Sequence, residues 1–313
     1  MKRITLNTLM VGILVLGSHV GWAQTDTTIN ISKRAWQLYF ENSSQPNHSP
    51  ADDHRAYHQM VIATDRPDQT ETPFLVPQGR LQMEMGAWYE KGHELDTDLG
   101  YEVKYLHNTY NTTLWKYGIS EHIEARLITE YLGEKIWKKS NDSLISDIKG
   151  LNGVSVGTKI FVCEENGFIP KTSFIGHVGL PYLGSKKFRP AFLASRFRFT
   201  MQHTLSDIFT FSYNLGLEYG GKQENTAYIY TTTVGANLFT NCSAFVELYG
   251  FVSEKSNQQD QFAGNFLHDH RFDGGISYVL QSNLQADISA GFGISKASPD
   301  YFLSCGLSYR LPK

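Results

Sequence analysis

Leu284-Gln285-Ala286-Asp287-Ile288-Ser289-Ala290-Gly291-Phe292-Gly293-Ile294-Ser295 is the stretch that decides the fold class. Leu284, Ala286, Ile288, Ala290, Phe292 and Ile294 share one parity; Gln285, Asp287, Ser289, Gly291, Gly293 and Ser295 share the other. A helix of period 3.6 mixes these two sets on every face, whereas a strand of period 2 separates them cleanly. The same alternation runs through Phe209–Tyr219, Tyr228–Leu238 and Tyr301–Leu311.

Working outward, period 2 predicts twelve strands, at 79–91, 101–119, 122–133, 151–163, 168–180, 190–204, 207–219, 226–240, 243–254, 271–281, 284–296 and 300–311. Short polar turns (Ser120-Glu121, Glu165-Asn166-Gly167, Ser206-Asp207, Asn241-Cys242, Ser282-Asn283) alternate with longer loops at 92–100, 134–150, 181–189, 220–225, 255–270 and 297–299. Alternating short and long connections around an even number of strands describe an all-β fold: a transmembrane antiparallel up-and-down β-barrel of an outer membrane, short turns toward the periplasm. Composition agrees. Charged residues are 19% and aromatics 13%, with 27 Gly. The mean hydropathy of −0.32 leaves no room for a helical membrane protein. Tyr219, Tyr228, Tyr301 and Tyr309 fall near strand ends, where interfacial girdles belong.

If the apolar parity faces lipid, the other parity lines the lumen. That assignment sends inward Glu84, Lys116, Glu124, Arg126, Glu130, Lys159, Arg196, Arg198, Glu218, Glu247, Asp273, Asp287 and Arg310. The alternative orientation would set Arg and Lys in hydrocarbon, at about 2–4 kcal/mol each near the midplane. Mixed signs along this wall predict no strong ion selectivity. Arg196 and Arg198, with Glu218 on the next strand and Glu247 beyond, are candidates for a constriction or for a rigidifying salt-bridge network.

The N-terminus reads as an export signal over 1–23: Lys2 and Arg3, an apolar run from Ile4 to Val20, then small Gly21 and Ala23 before Gln24. Residues 24–60 are a polar, aperiodic extension, loop or disordered. Residues 61–78 hold three prolines and read as an ordered segment at the periplasmic mouth. Its Asp65, Arg66, Asp68 and Glu71 are candidates to pair with lumen charges and fold inward as a plug. Residues 79–313 are the barrel.

Two motifs carry a family resemblance. Thr64-Asp65-Arg66-Pro67-Asp68-Gln69-Thr70-Glu71-Thr72-Pro73, followed by Val76-Pro77-Gln78-Gly79-Arg80-Leu81-Gln82-Met83-Glu84, resembles the opening of the outer-membrane family named for the meta-cleavage pathway of phenol degradation. The turn Tyr117-Gly118-Ile119-Ser120-Glu121-His122-Ile123-Glu124 is similar to that family's entry into the third strand. The resemblance covers about 61–313. It implies a porin-like outer-membrane channel or passive transporter for small hydrophobic or aromatic solutes; the alternative is a structural or interaction barrel with a sealed lumen. The partners expected are outer-membrane lipid, an unidentified small solute and the barrel-assembly machinery.

Other chemistries lack a signature. The net charge of −3 gives no nucleic-acid footprint. Cys163, Cys242 and Cys305 have no paired spacing and read as small apolar side chains rather than disulfides. No nucleophile elbow, phosphate loop or paired metal motif occurs, so no cofactor, metal or catalytic residue is expected and the chain reads as a non-enzyme. His268-Asp269-His270 is expected to be solvated loop. Ser173, His177 and Ser212 are enzyme candidates by position only.

Overall fold

The period-2 segments form strands, and the strands form one sheet that closes on itself. A computed structural model describes residues 61–96, 100–190, 192–220, 226–254 and 266–311. The expected export signal and polar extension, residues 1–60, lie outside the described residues.

Thirteen strands are described: β1 (Leu81–Asp96), β2 (Tyr101–Gly118), β3 (Ile123–Lys138), β4 (Leu144–Leu151), β5 (Ser155–Cys163), β6 (Lys171–Gly179), β7 (Ala194–Thr204), β8 (Phe209–Tyr219), β9 (Ala227–Phe239), β10 (Cys242–Glu254), β11 (Phe266–Gln281), β12 (Leu284–Gly293) and β13 (Tyr301–Arg310). All neighbours are antiparallel, and β1 pairs with β13 from Gln82↔Arg310 to Lys91↔Tyr301. β3 pairs with β5 along Ile123–Ile128 and with β4 along Tyr131–Trp137. The result is a closed twelve-strand barrel with one extra strand, and it crosses the outer membrane.

The extra strand corrects the expected loop at 134–150. β3 runs on to Lys138, and β4 occupies Leu144–Leu151. Likewise β1 continues to Asp96 and β11 begins at Phe266, inside segments expected to be loops. The physical reason is shared. Beyond the lipid, both faces of a strand tolerate polar residues, so the ladder continues after the hydrophobic alternation stops. On β3 and β4 the outward pair Lys135–Asp147 sits at 3.0 Å, a salt bridge that hydrocarbon would forbid.

Burial is inverted relative to a soluble protein. Glu84, Lys116, Glu124, Lys159, Glu247 and Asp273 are at most 1% exposed. Phe199, Leu215, Val246, Ile288, Phe292 and Leu303 lie open on the outside. Tyr219, Tyr228 and Tyr301 are also exposed, at the outer strand ends. Cys242 is buried, Cys163 is half-buried, and Cys305 faces outward; all three are free thiols.

Tight turns fall on the side where Asn241 and Gly167 adopt positive φ (81° and 59°). Asx residues and glycine tolerate that region at low cost, which fits short hairpins. These short turns mark the periplasmic end.

Candidate functional site

The barrel is filled by its own leading segment. Ile62 is fastened at the periplasmic rim, its N–H donating to the Ser282 carbonyl at 2.8 Å. The chain then enters the lumen and returns to the rim beside Gly118. A Cβ on Gly118 would lie 2.4 Å from the carbonyl oxygens of both Val76 and Pro77, so the returning backbone requires glycine there.

Between these points the segment is held by side chains from almost every strand around it. Gln82 donates to the Ala63 carbonyl (2.7 Å), and Gln285 to the Thr64 hydroxyl (2.8 Å). Ser173 donates to the Pro73 carbonyl (2.7 Å). The Val76 N–H donates to Glu124 (2.7 Å), the Glu71 N–H to Asn214 (2.8 Å) and the Gln69 N–H to Glu247 (2.8 Å). A strand pairs through its backbone alone. Here acid and amide side chains reach in to meet backbone donors that no ladder satisfies.

Asp65 is the centre of one cluster. Its carboxylate meets Lys116 (2.9 Å), Lys159 (2.9 Å) and Arg126 (3.1 Å), from β2, β5 and β3. Burial alone would raise this carboxyl, but Lys116, Lys159 and Arg126 hold it well below the ordinary range. Lys116 also pairs with Glu84 (2.8 Å), and Arg126 with Glu71 (2.7 Å). Glu71 lies 3.8 Å from Arg198, which is 3.6 Å from Glu218; Glu218 in turn binds Arg196 at 3.1 Å. Acids and bases are matched on this side.

The opposite side is not matched. Arg66 crosses to β12 and β13, donating to Asp287 (3.1 Å) and to the Ser304 hydroxyl (2.9 Å). Its guanidinium fills the space left by Gly86 and Gly306, which face each other in the ladder; a Cβ on either would collide with it. Asp68, Glu247 and Asp273 have no cation within 4 Å among the described residues. Burial beside Glu247 and Asp273 pushes the Asp68 carboxyl well above the ordinary range. The wall is therefore neutralised unevenly: acids and bases pair on one side, while on the other Asp68, Glu247 and Asp273 go without a cation among the described residues.

Above the segment, toward the outer end, a second set of side chains meets across the lumen. Trp88 stacks on Phe302 (centroids 4.6 Å apart), and Tyr249 meets Phe302 edge-on at 6.2 Å. Arg271 lies 5.9 Å from the rings of both Phe251 and Phe302, pairing with Glu90 (2.6 Å) and Asp269 (2.7 Å). Sequence reading did not single out Glu90, Tyr249, Arg271 or Phe302. The signal was present, since Glu90 shares the parity of Glu84, and Tyr249 and Arg271 share those of Glu247 and Asp273.

The remaining candidates are dispersed. Glu130 accepts from Thr112 (3.1 Å) and Asn152 (2.6 Å) near the outer rim, and Arg310 is buried at the periplasmic end of β13. Arg196, Arg198 and Glu218 come together, but Glu247 is elsewhere, occupied with Gln69, Thr70 and Thr233. His268-Asp269-His270 lies on β11 rather than in a loop. Asp269 is bound to Arg271, and His270 Nδ1 is 2.8 Å from the Tyr230 hydroxyl. Ser173 and Ser212 spend their hydroxyls on Pro73 and Gln202.

The segment from Thr64 to the last strand matches one family model, "Putative MetA-pathway of phenol degradation", over residues 64–311. The chain belongs to this phenol-degradation family. Among solved structures it is similar to an outer-membrane channel from Pseudomonas putida F1, at 9% identity and a TM-score of 0.57, covering 79% of this chain and 99% of that one. A weaker likeness, at 8% identity and a TM-score of 0.41, is to the CymD monoaromatic hydrocarbon channel, covering 75% of this chain and 89% of that one. No curated protein matches the chain. The family match begins at Thr64, where the segment that enters the lumen begins, and it includes Gly118, the glycine that the segment crosses on its return.

Proposed function

We propose that this protein is an outer-membrane channel for passive entry of small hydrophobic or aromatic solutes, with residues 64–73 as its gate. The observation that carries the reading is how the segment is held. It shares no sheet with the wall inside the lumen and hangs on side-chain contacts such as Asp65 with Lys116, Arg126 and Lys159. Release of the segment would exchange these buried contacts for water and leave the backbone ladder of the wall intact. Apolar surface toward the outer end (Trp88, Tyr249, Phe302) supports an apolar or aromatic solute. The reading assigns no catalytic step to the chain. Lipid and the barrel-assembly machinery complete its partners.

A sealed structural barrel is favoured by the same cross-lumen contacts if they never release. Deletion of residues 61–73 separates the two. A gate predicts a folded barrel with markedly raised single-channel conductance in planar bilayers, and unchanged conductance sinks it. Liposome swelling across sugars, amino acids and phenols then reads the solute class, with phenols expected to enter fastest.

A further inference from the structure

His268 and His270 are two residues apart on β11, so the alternation of the strand turns both side chains to one side of the sheet. That side is the outside of the barrel: the residues of the other parity, Asp269 and Arg271, pair with each other, and Arg271 reaches Glu90 across the lumen. Next in the outward row, toward the periplasm, is the exposed Phe272, and across β10 His268 lies in register with Tyr228 of the outer girdle. The two imidazoles thus stand where the apolar band ends and water begins, on a strand and not in a solvated loop.

The pair is positioned by its neighbours. His270 Nδ1 is 2.8 Å from the Tyr230 hydroxyl, a contact made over Gly250; a Cβ there would stand 2.5 Å from Nδ1 and 2.8 Å from the Tyr230 ring. When Nδ1–H donates to that oxygen, the Nε2 lone pair is left for another partner. Such a hydrogen bond on the far nitrogen is what fixes the tautomer and orientation of a metal-binding imidazole. The backbone is braced as well. The Ser295 hydroxyl accepts from the His270 N–H (2.8 Å) and donates to the His268 carbonyl (2.7 Å), and the Ser298 hydroxyl donates to the His270 carbonyl (2.8 Å). The two imidazole centroids are 5.5 Å apart. A zinc ion bound to one nitrogen of each ring sits about 3.2 Å from either centroid, and tetrahedral coordination then separates the centroids by about 5.2 Å. The observed spacing needs little adjustment to meet it. No third His, Cys, Asp or Glu completes the set among the described residues, so water takes the remaining positions.

We propose that His268 and His270 form a two-histidine site for a divalent transition ion, zinc above all, on the outer wall of the barrel at the edge of the membrane. Imidazole suits such ions, whereas Mg2+ and Ca2+ take oxygen ligands. The site lies outside the lumen, so it does not rest on the channel reading. Calorimetric titration with zinc chloride tests it, on the full chain without a polyhistidine tag, in detergent micelles at neutral pH. One saturable zinc ion is expected. His268→Ala and His270→Ala, each shown folded by the mobility of the unheated barrel on gels, are each expected to weaken it at least tenfold. Tyr230→Phe is expected to weaken it about tenfold, the ordinary effect of removing such a supporting hydrogen bond. Undiminished zinc binding in the two histidine variants assigns the ion elsewhere and overturns the proposal. A wild-type chain that binds no zinc overturns it too, whether or not the variants fold. Unchanged affinity in Tyr230→Phe overturns the positioning role of Tyr230, and displacement of zinc by a tenfold excess of Mg2+ overturns the imidazole class.

Discussion

Asp65 and Asp68 lie three residues apart on one segment in one lumen, and their surroundings are opposite. Asp65 faces three cations and is held ionised; Asp68 faces Glu247 and Asp273 and is pushed toward its neutral form. The same buried carboxyl group is an anchor in the first setting and a liability in the second. A lumen charge acquires meaning only from what stands across from it, and the two walls of this barrel treat the segment differently: β2, β3 and β5 grip it by charge, β8 to β10 by hydroxyls, amides and acid acceptors.

The comparison can be broken most severely at Asp65. Asp65→Ala leaves Lys116, Arg126 and Lys159 buried around an empty centre, and removing one partner of a buried ion pair costs about 3–5 kcal/mol. The segment is expected to leave the lumen, seen as a lowered unfolding midpoint and raised single-channel conductance. Gly306→Ala, whose Cβ would displace the flexible end of Arg66 from Asp287, is expected to cost about 1.5–3 kcal/mol, the value of a hydrogen bond between charged groups, read as a lowered unfolding midpoint. Asp273→Asn should act in the opposite direction. Replacing a buried carboxylate that faces Glu247 rather than a cation by a neutral amide is expected to stabilise the barrel by about 1–3 kcal/mol, measured as an increased urea midpoint. A loss of stability there would mean that Asp273 is already compensated.

Acidity sharpens the contrast with a smaller effect. The Asp68 carboxyl is raised in the folded protein, so the penalty for docking it is present at neutral pH and is relieved as pH falls toward the ordinary carboxylate range. Asp65 is lowered, so its contribution persists through that window and is lost only below it. Mild acidification from neutral pH is therefore expected to tighten the segment, by up to about 1.4 kcal/mol per pH unit if Asp68 alone titrates. Falling conductance from neutral toward pH 5 checks the sign, and rising conductance refutes it.

Leu284–Ser295 disclosed the barrel because lipid on one side and polar contacts on the other impose period 2 on every residue between. The readable part ended where that pressure ended. Leu144–Leu151 is a strand whose outward residues include Asp147 and Lys149, and no hydrophobic pattern marks it. Parity located the inward charges but not their partners. That Asp65 would face Lys116, Arg126 and Lys159 depends on how deep the segment sits, which local pattern does not encode. Gly86 and Gly306 looked like ordinary small strand residues; their purpose is the guanidinium of Arg66, at a distance of some 240 positions from Gly306 in the chain.

The seam between β1 and β13 bears on how such an object can be made. The segment that occupies the interior precedes the first strand, while the sheet becomes a ring only when the last strand meets the first. Arg66 already reaches β13, which forms that junction, and β12 beside it. An open sheet can therefore curl around its own leader and shut against it, with no chain end threaded through a finished ring. The leader is in this sense a mandrel, and closure of the wall and filling of its interior become a single event.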